Sequence, residues 1–115
     1  MRCEFMLYKQ DGFRCVAIPT AGHTPGHLAV SVSLPNLEVL FAGDLSYTQE
    51  ALLNDRLDGV AVNGRMAHQS LETLRCHVVL RPTVYLPAHD PESSTRLARQ
   101  EFVYPRGGFE GSEEL

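Results

Sequence analysis

The sequence predicts an α+β fold, and three observations predict it. Runs with strand character crowd the first 42 residues, and the one strong helical stripe comes only later. At 115 residues there is room for one small domain and no second. Apolar residues make up 43% and charged residues 21%, the balance of a globular chain rather than a disordered or fibrous one.

Cys3 to Tyr8 (CEFMLY) reads as a first strand and Phe13 to Ile18 (FRCVAI) as its partner. Lys9-Gln10-Asp11-Gly12 turns between them, with Asp-Gly as the hairpin signal. Pro19 to Gly26 (PTAGHTPG) holds two Pro, two Gly and two Thr and must be loop. Leu28 to Leu34 (LAVSVSL) alternates apolar and small polar residues, the period of a half-buried strand. Pro35-Asn36 turns the chain, and the wholly apolar Val39 to Ala42 (VLFA) reads as an interior strand ending at Gly43-Asp44.

Leu45 to Gly64 is mixed, with one helical turn near Glu50 to Leu53. Ala67, Leu71, Leu74 and Val78 then share one stripe at helical spacing, with Gly64 near the start and Pro82 beyond the end. Thr83 to Leu86 is a short strand, Pro87 to Pro91 (PAHDP) a tight loop, and Glu92 to Glu101 a polar helix. Residues 106–115, rich in Gly and acid, read as a disordered tail to a domain spanning 1–105. Helices that cover one face of such a sheet leave the other face apolar and bare. Phe13–Ile18, Leu28–Leu34 and Val39–Ala42 would build that face, and self-association through it is expected.

Charge and cysteine content narrow the partners. Fourteen acidic residues against ten basic ones give a net charge of −4, with no basic cluster to neutralise nucleic-acid phosphates. No apolar run is long enough to span a bilayer, and residues 1–5 lack a secretory signal's apolar stretch. Three cysteines, Cys3, Cys15 and Cys76, none in a Cys-x-x-Cys pair, read as plain buried or half-buried thiols in a reducing, cytoplasmic setting.

Three polar residues stand where apolar strands end: His23, Asp44 and His89. Loops at strand ends are where rigid scaffolds present ligands, and two imidazoles with a carboxylate are a donor set for zinc and its neighbours. Each also has a plainer reading. A loop His is usually solvated, Gly-Asp is a common turn, and Asp90 could simply cap the last helix. His27 reads as a brace behind the ligand loop. His68 and His77 lie on opposite sides of the helical wheel and are no ligand pair.

Thr20-Ala21-Gly22-His23-Thr24-Pro25-Gly26-His27 resembles the Gly-His-Thr-Pro-Gly-His loop of the metallo-β-lactamase superfamily. Phe41-Ala42-Gly43-Asp44 resembles its strand ending in a metal-bridging aspartate, and Pro87-Ala88-His89-Asp90 its last ligand loop. The three follow in the family's order, at separations of 21 and 45 residues. Asp44-Leu45-Ser46-Tyr47-Thr48 is similar to the Asp-x-Ser-Tyr-Thr stretch of its N-acyl-homoserine lactonases.

The resemblance covers about Phe13 to Tyr104 and implies the C-terminal half of a four-layer αββα sandwich. It implies two divalent metals, zinc by default, bound by His23 and Asp44 and by Asp44 and His89. A metal-bridging hydroxide would open a lactone, with Tyr47 donating a hydrogen bond to the carbonyl or departing oxygen and small-molecule esters as substrates. The family's His-x-His-x-Asp-His motif is absent, so the chain reads as a fragment of a hydrolase, inactive alone, whose missing half is its partner. The rival readings are a non-catalytic half-domain that self-associates or binds a partner, and a glyoxalase-II-like thioesterase fragment, against which Tyr47 speaks.

Overall fold

Alternating and helical periodicities sort the described residues into five strands and three helices. The structure, a computed structural model, describes residues 4–56 and 62–104. The strands are β1 (Phe5–Gln10), β2 (Phe13–Pro19), β3 (Leu28–Ser33), β4 (Glu38–Gly43) and β5 (Thr83–Pro87). The helices are α1 (Gln49–Leu53), α2 (Gly64–Val78) and α3 (Ser93–Arg99). They form one mixed sheet in the order β1-β2-β3-β4-β5, antiparallel throughout except for the parallel pair β4 and β5. The parallel pair needs a crossover, which α1 and α2 provide. This is the α+β architecture expected.

The first hairpin is tighter than the sequence suggests. Lys9 and Gln10 continue β1, and Asp11-Gly12 alone makes the turn, with Gly12 at φ +70°. Two-residue turns of this kind need a positive φ, which glycine adopts without strain.

Register sets the two faces. One row runs Val16–Ser31–Leu40–Tyr85 and its neighbour runs Arg14–Ser33–Glu38–Thr83. On this side α2 lays down Ala67, Leu71, Leu74 and Val78, all buried against Ile18, Ala29, Leu40, Ala42 and Tyr85. Asn63 caps α2 by accepting the Met66 N–H at 3.0 Å, a cap the stripe itself did not reveal. Fully burying each Leu contributes about 1.5–3 kcal/mol.

The opposite side corrects the expectation of a bare face. Leu37, Val39 and Val84 are buried there, and Val32, Leu34, Leu86 and Phe102 pack against them. Phe102 gets there because the chain after α3 returns along β5, with the Val103 N–H donating to the Thr83 carbonyl at 2.8 Å. What stays exposed is narrower: Leu28 and Phe41 on this face, and Phe5, Met6, Leu7 and Tyr8 on the edge strand β1.

Charged side chains lie inside among the described residues. Glu38 is buried, accepts hydrogen bonds from Ser31 and His77, and has Arg81 3.8 Å away. Burial by itself raises the Glu38 pKa, but the bonds from His77 and Ser31 and the charges of His77 and Arg81 outweigh it and hold the carboxyl below its ordinary value. Arg96 is buried beside Asp90, at 2.8 Å. His68, by contrast, faces outward to Asp55 at 3.2 Å, so His68 and His77 are separate, as the wheel requires. Cys15 is half-buried, but Cys76 is exposed on the outer side of α2, which corrects the expectation of burial for it. Cys3 and the 106–115 tail lie outside the described residues. No described helix is long and apolar enough to cross a membrane.

Candidate metal centre

The loop after β2 is built by its own composition. The Thr20 N–H donates to the His27 carbonyl at 2.9 Å and the Gly22 N–H to the Thr24 carbonyl at 3.1 Å, which folds the segment back on itself. The start of α2 then grips it. The Asn63 N–H reaches the Gly22 carbonyl at 2.9 Å, the Val62 N–H reaches the His23 carbonyl at 3.2 Å, and the Ser70 hydroxyl reaches the Ala21 carbonyl at 2.7 Å. Gly22 is required: its φ is +141°, and a Cβ there would lie 2.2 Å from Ala67 Cα.

β4 ends at Gly43, whose φ of +62° turns the chain so that Asp44 leaves the sheet beside this loop. β5 ends two residues before His89, and the Ala88 N–H donates to the Gly43 carbonyl at 2.9 Å. The three strand ends thus bring His23, Asp44 and His89 together. His23 Nε2 lies 3.5 Å from Asp44 Oδ2, and His89 Nε2 lies 3.1 Å from Asp44 Oδ1. Each imidazole therefore addresses a different oxygen of one carboxylate. The group is open to solvent, with side-chain exposures of 23% for His23, 38% for Asp44 and 54% for His89.

His27 stands behind them with both nitrogens committed. Its Nε2 accepts the Asp44 N–H at 3.0 Å, so that nitrogen carries no proton. The proton of the neutral ring then sits on Nδ1, which donates to the Thr20 hydroxyl at 2.8 Å. The Thr20 hydroxyl in turn donates a hydrogen bond to the His27 carbonyl, 3.4 Å away. Burial lowers the His27 pKa, and the neighbouring His23 lowers it further, which favours this neutral form.

Tyr47 stacks on His89, ring centroids 4.3 Å apart and 37° inclined. The segment bearing Tyr47 is tied down on both sides. Ser46 donates to the Thr48 carbonyl at 2.9 Å and shares a 2.8 Å hydrogen bond with the buried Tyr85 hydroxyl. The Gln49 N–H donates to Asp90 Oδ2 at 2.9 Å. Burial raises the Tyr85 hydroxyl's pKa, so it stays protonated.

Asp90 is not the cap of α3 that its position offered. Glu92 occupies the cap position, without a side-chain bond. Asp90 instead accepts the Glu92 N–H at Oδ1 (2.8 Å), and at Oδ2 it meets both Gln49 N–H and Arg96. Burial raises its pKa, but the Gln49 and Glu92 N–H bonds and Arg96 outweigh this and hold it below the usual carboxylate range. Sequence reasoning missed both Arg96 and this role of Asp90. The only sequence signal was an Arg within the last, otherwise exposed helix.

The donors have the character a metal pair requires: a carboxylate with two separately addressed oxygens and one imidazole for each. They would offer a metal pair two protein donors for each ion, where a catalytic zinc normally takes three. Among the described residues no three His, Cys, Asp or Glu side chains close around one point as ligands of a single ion would.

The family model described as the Metallo-beta-lactamase superfamily matches residues 10–95. No curated protein matches the chain in sequence. Among solved structures, an N-acyl homoserine lactone hydrolase with the product N-hexanoyl-L-homoserine at its catalytic metal center superposes with a TM-score of 0.63 at 23% identity. That match covers 79% of this chain and 36% of the other. An AiiA mutant from B. thuringiensis with N-decanoyl-L-homoserine at its active site gives 0.62 at 22% identity, covering 79% and 36%. The hydrolase AbOPH of the beta lactamase superfamily gives 0.56 at 19%, covering 76% and 30%. The chain thus spans about a third of the length of these structures, and the likeness is one of fold. With the family model matched over most of its length and the strand ends arranged as described, the chain belongs to the metallo-β-lactamase superfamily.

Proposed function

We propose that the chain contributes one side of a metal-dependent hydrolase centre that opens a lactone-type ester. In this reading His23 and Asp44 hold one divalent metal, zinc or a neighbour, and Asp44 and His89 hold a second. The observation that carries it is the division of the Asp44 carboxylate, one oxygen toward each imidazole. When bound, the metals supply Lewis acidity and lower the pKa of a bound water.

The chain's own residues do the rest. His27, locked as the Nδ1–H tautomer, holds the Asp44 backbone and so aims its carboxylate. The Tyr47 hydroxyl donates a hydrogen bond to the ester carbonyl or the departing oxygen. A donor of that kind is worth about 3–4 kcal/mol where removal has been measured. Lactone hydrolases among the similar folds favour a lactone over the thioester of a glyoxalase-II-like enzyme, as does Tyr47. Two donors per metal leave each site one short, so in this reading the remaining donors come from a partner half and the chain alone is inactive. A second reading, a non-catalytic half-domain that pairs with a partner or its own copy, is favoured by the exposed Leu28 and Phe41.

Two measurements test the proposal. Equilibrium dialysis of the full chain against zinc, manganese or cobalt should show weak uptake that Asp44→Asn reduces; uptake indifferent to that change rejects the ligand assignment. With the same metals and an N-acyl homoserine lactone, hydrolysis should not exceed the buffer rate. Turnover that Asp44→Asn abolishes would show instead that these donors suffice.

A further inference from the structure

The loop that carries His89 and the loop that carries Asp44 and Tyr47 are distant in sequence, yet they meet at one carboxylate. Asp90 follows His89 directly, and its Oδ2 accepts the N–H of Gln49, two residues after Tyr47. Asp90 does not swing freely. Its Oδ1 takes the Glu92 N–H at 2.8 Å, and Arg96 Nη2 meets Oδ2 at 2.8 Å. Arg96 is itself seated by the Tyr85 carbonyl, 3.3 Å from Nη2 and 3.4 Å from Nε. Both side chains are nearly enclosed, at 6% for Asp90 and 9% for Arg96. A buried, charge-assisted and multiply bonded carboxylate is a fixed point in the fold. The second tie, Ser46 to Tyr85, reaches the same strand β5 from the other side of Tyr47.

We infer that Asp90 is a positioning residue of this site: seated by Arg96, it fastens the Tyr47 loop to the His89 loop through the Gln49 N–H and thereby sets His89 against both Tyr47 and Asp44. The inference rests on reading His89, Asp44 and Tyr47 as site residues, but it is tested without metal or substrate. It explains an arrangement that loops alone would not hold. His89 is the most exposed of the three candidate donors, yet it keeps a 3.1 Å approach to Asp44 and a 4.3 Å stack on Tyr47. It also gives a physical reason for burying an ion pair at the mouth of a small domain. Such a pair adds little net stability, since desolvation offsets its attraction. What it supplies here is a defined separation between two loops.

The tie can be cut without touching either charge. Gln49 is the first residue of α1, a position where proline is well tolerated because the N–H there makes no bond within the helix. Thr48 before it has φ −137° and ψ 163°, the extended conformation that a residue preceding proline adopts. Gln49→Pro therefore deletes the N–H that Asp90 accepts, whereas Gln49→Ala keeps it. The readout is the ring-proton spectrum of His89 in the metal-free full chain, displaced by the ring current of Tyr47 and identified by its loss in Tyr47→Leu. Gln49→Ala should leave that displacement at the wild-type value, and Gln49→Pro should reduce it by more than half. Asp90→Ala combined with Arg96→Leu, which removes the carboxylate without stranding a guanidinium, should reproduce the loss. Wild-type displacement in either folded variant, or equal losses in Gln49→Ala and Gln49→Pro, overturns the inference. Because no metal or turnover enters the measurement, a failure of the hydrolase reading would leave this result standing, and the reverse also holds.

Discussion

A Cβ on Gly43 would stand 2.7 Å from Nε2 of His27, the atom that accepts the Asp44 N–H. The missing side chain is thus what allows an imidazole to slide under the end of β4 and hold the backbone of the candidate bridging carboxylate. The positive φ at Gly43 adds a second demand on the same position.

Gly43→Ala should therefore cost about 1–3 kcal/mol, from the left-handed backbone and the displaced ring together. Urea denaturation measures the loss. The His27 ring signals should move as well, because the change takes away its Nε2 donor. An alanine variant with wild-type stability and an unmoved His27 spectrum would refute the packing argument.

The glycines of the His23 loop should respond unequally. At Gly22 a Cβ would strike the backbone of Ala67, and its φ of +141° is unsuited to other residues. Gly22→Ala should cost at least about 3 kcal/mol, since a helix must move to make room. Gly26 has open space around its would-be Cβ. Gly26→Ala should stay within about 0.5 kcal/mol of wild type. Equal midpoints for the two variants in thermal or urea unfolding would contradict this.

Acid should weaken the fold through Glu38. Its pKa in the folded chain lies below the ordinary 4.5, so its contribution is complete above that value. It is lost as pH falls through the lowered folded value, because the unfolded chain then binds the proton more readily. Glu38→Gln, which weakens the bonds with His77 and Ser31, should cost about 1–3 kcal/mol at pH 7. The gap between variant and wild type should shrink in denaturation curves taken below pH 4.5. A gap that stays constant with pH would show that the charge of Glu38 plays no part.

The uncovered remainder of the sheet should make the chain associate. Leu28 and Phe41 share a face, since Val30 pairs with Phe41 and Leu28 lies two residues along the same strand; their exposures are 48% and 44%. Static light scattering should show mass rising with concentration, and Leu28→Ser with Phe41→Ser should lower it. A wild-type chain that stays monomeric at high concentration would count against the prediction.

The sequence by itself determined the elements and the three strand-end residues of the candidate site. Both are local signals: alternation marks β3, an apolar stripe marks α2, and His23, Asp44 and His89 each follow an apolar run in their own segment. The tertiary structure decided what depends on register between distant segments. Glu38 finds His77 across 39 residues, and Gln49 finds Asp90 across 41. No local pattern distinguishes a buried Arg96 from its exposed helical neighbours, because burial there depends on where the Tyr85 carbonyl and Asp90 lie. The covered part of the second sheet face was equally hidden, since Phe102 reaches it only after the chain has turned past α3. Periodicity belongs to a segment, whereas hydrogen-bond partners and the tautomer of His27 belong to the assembled fold, where desolvation and geometry choose among the options a residue carries.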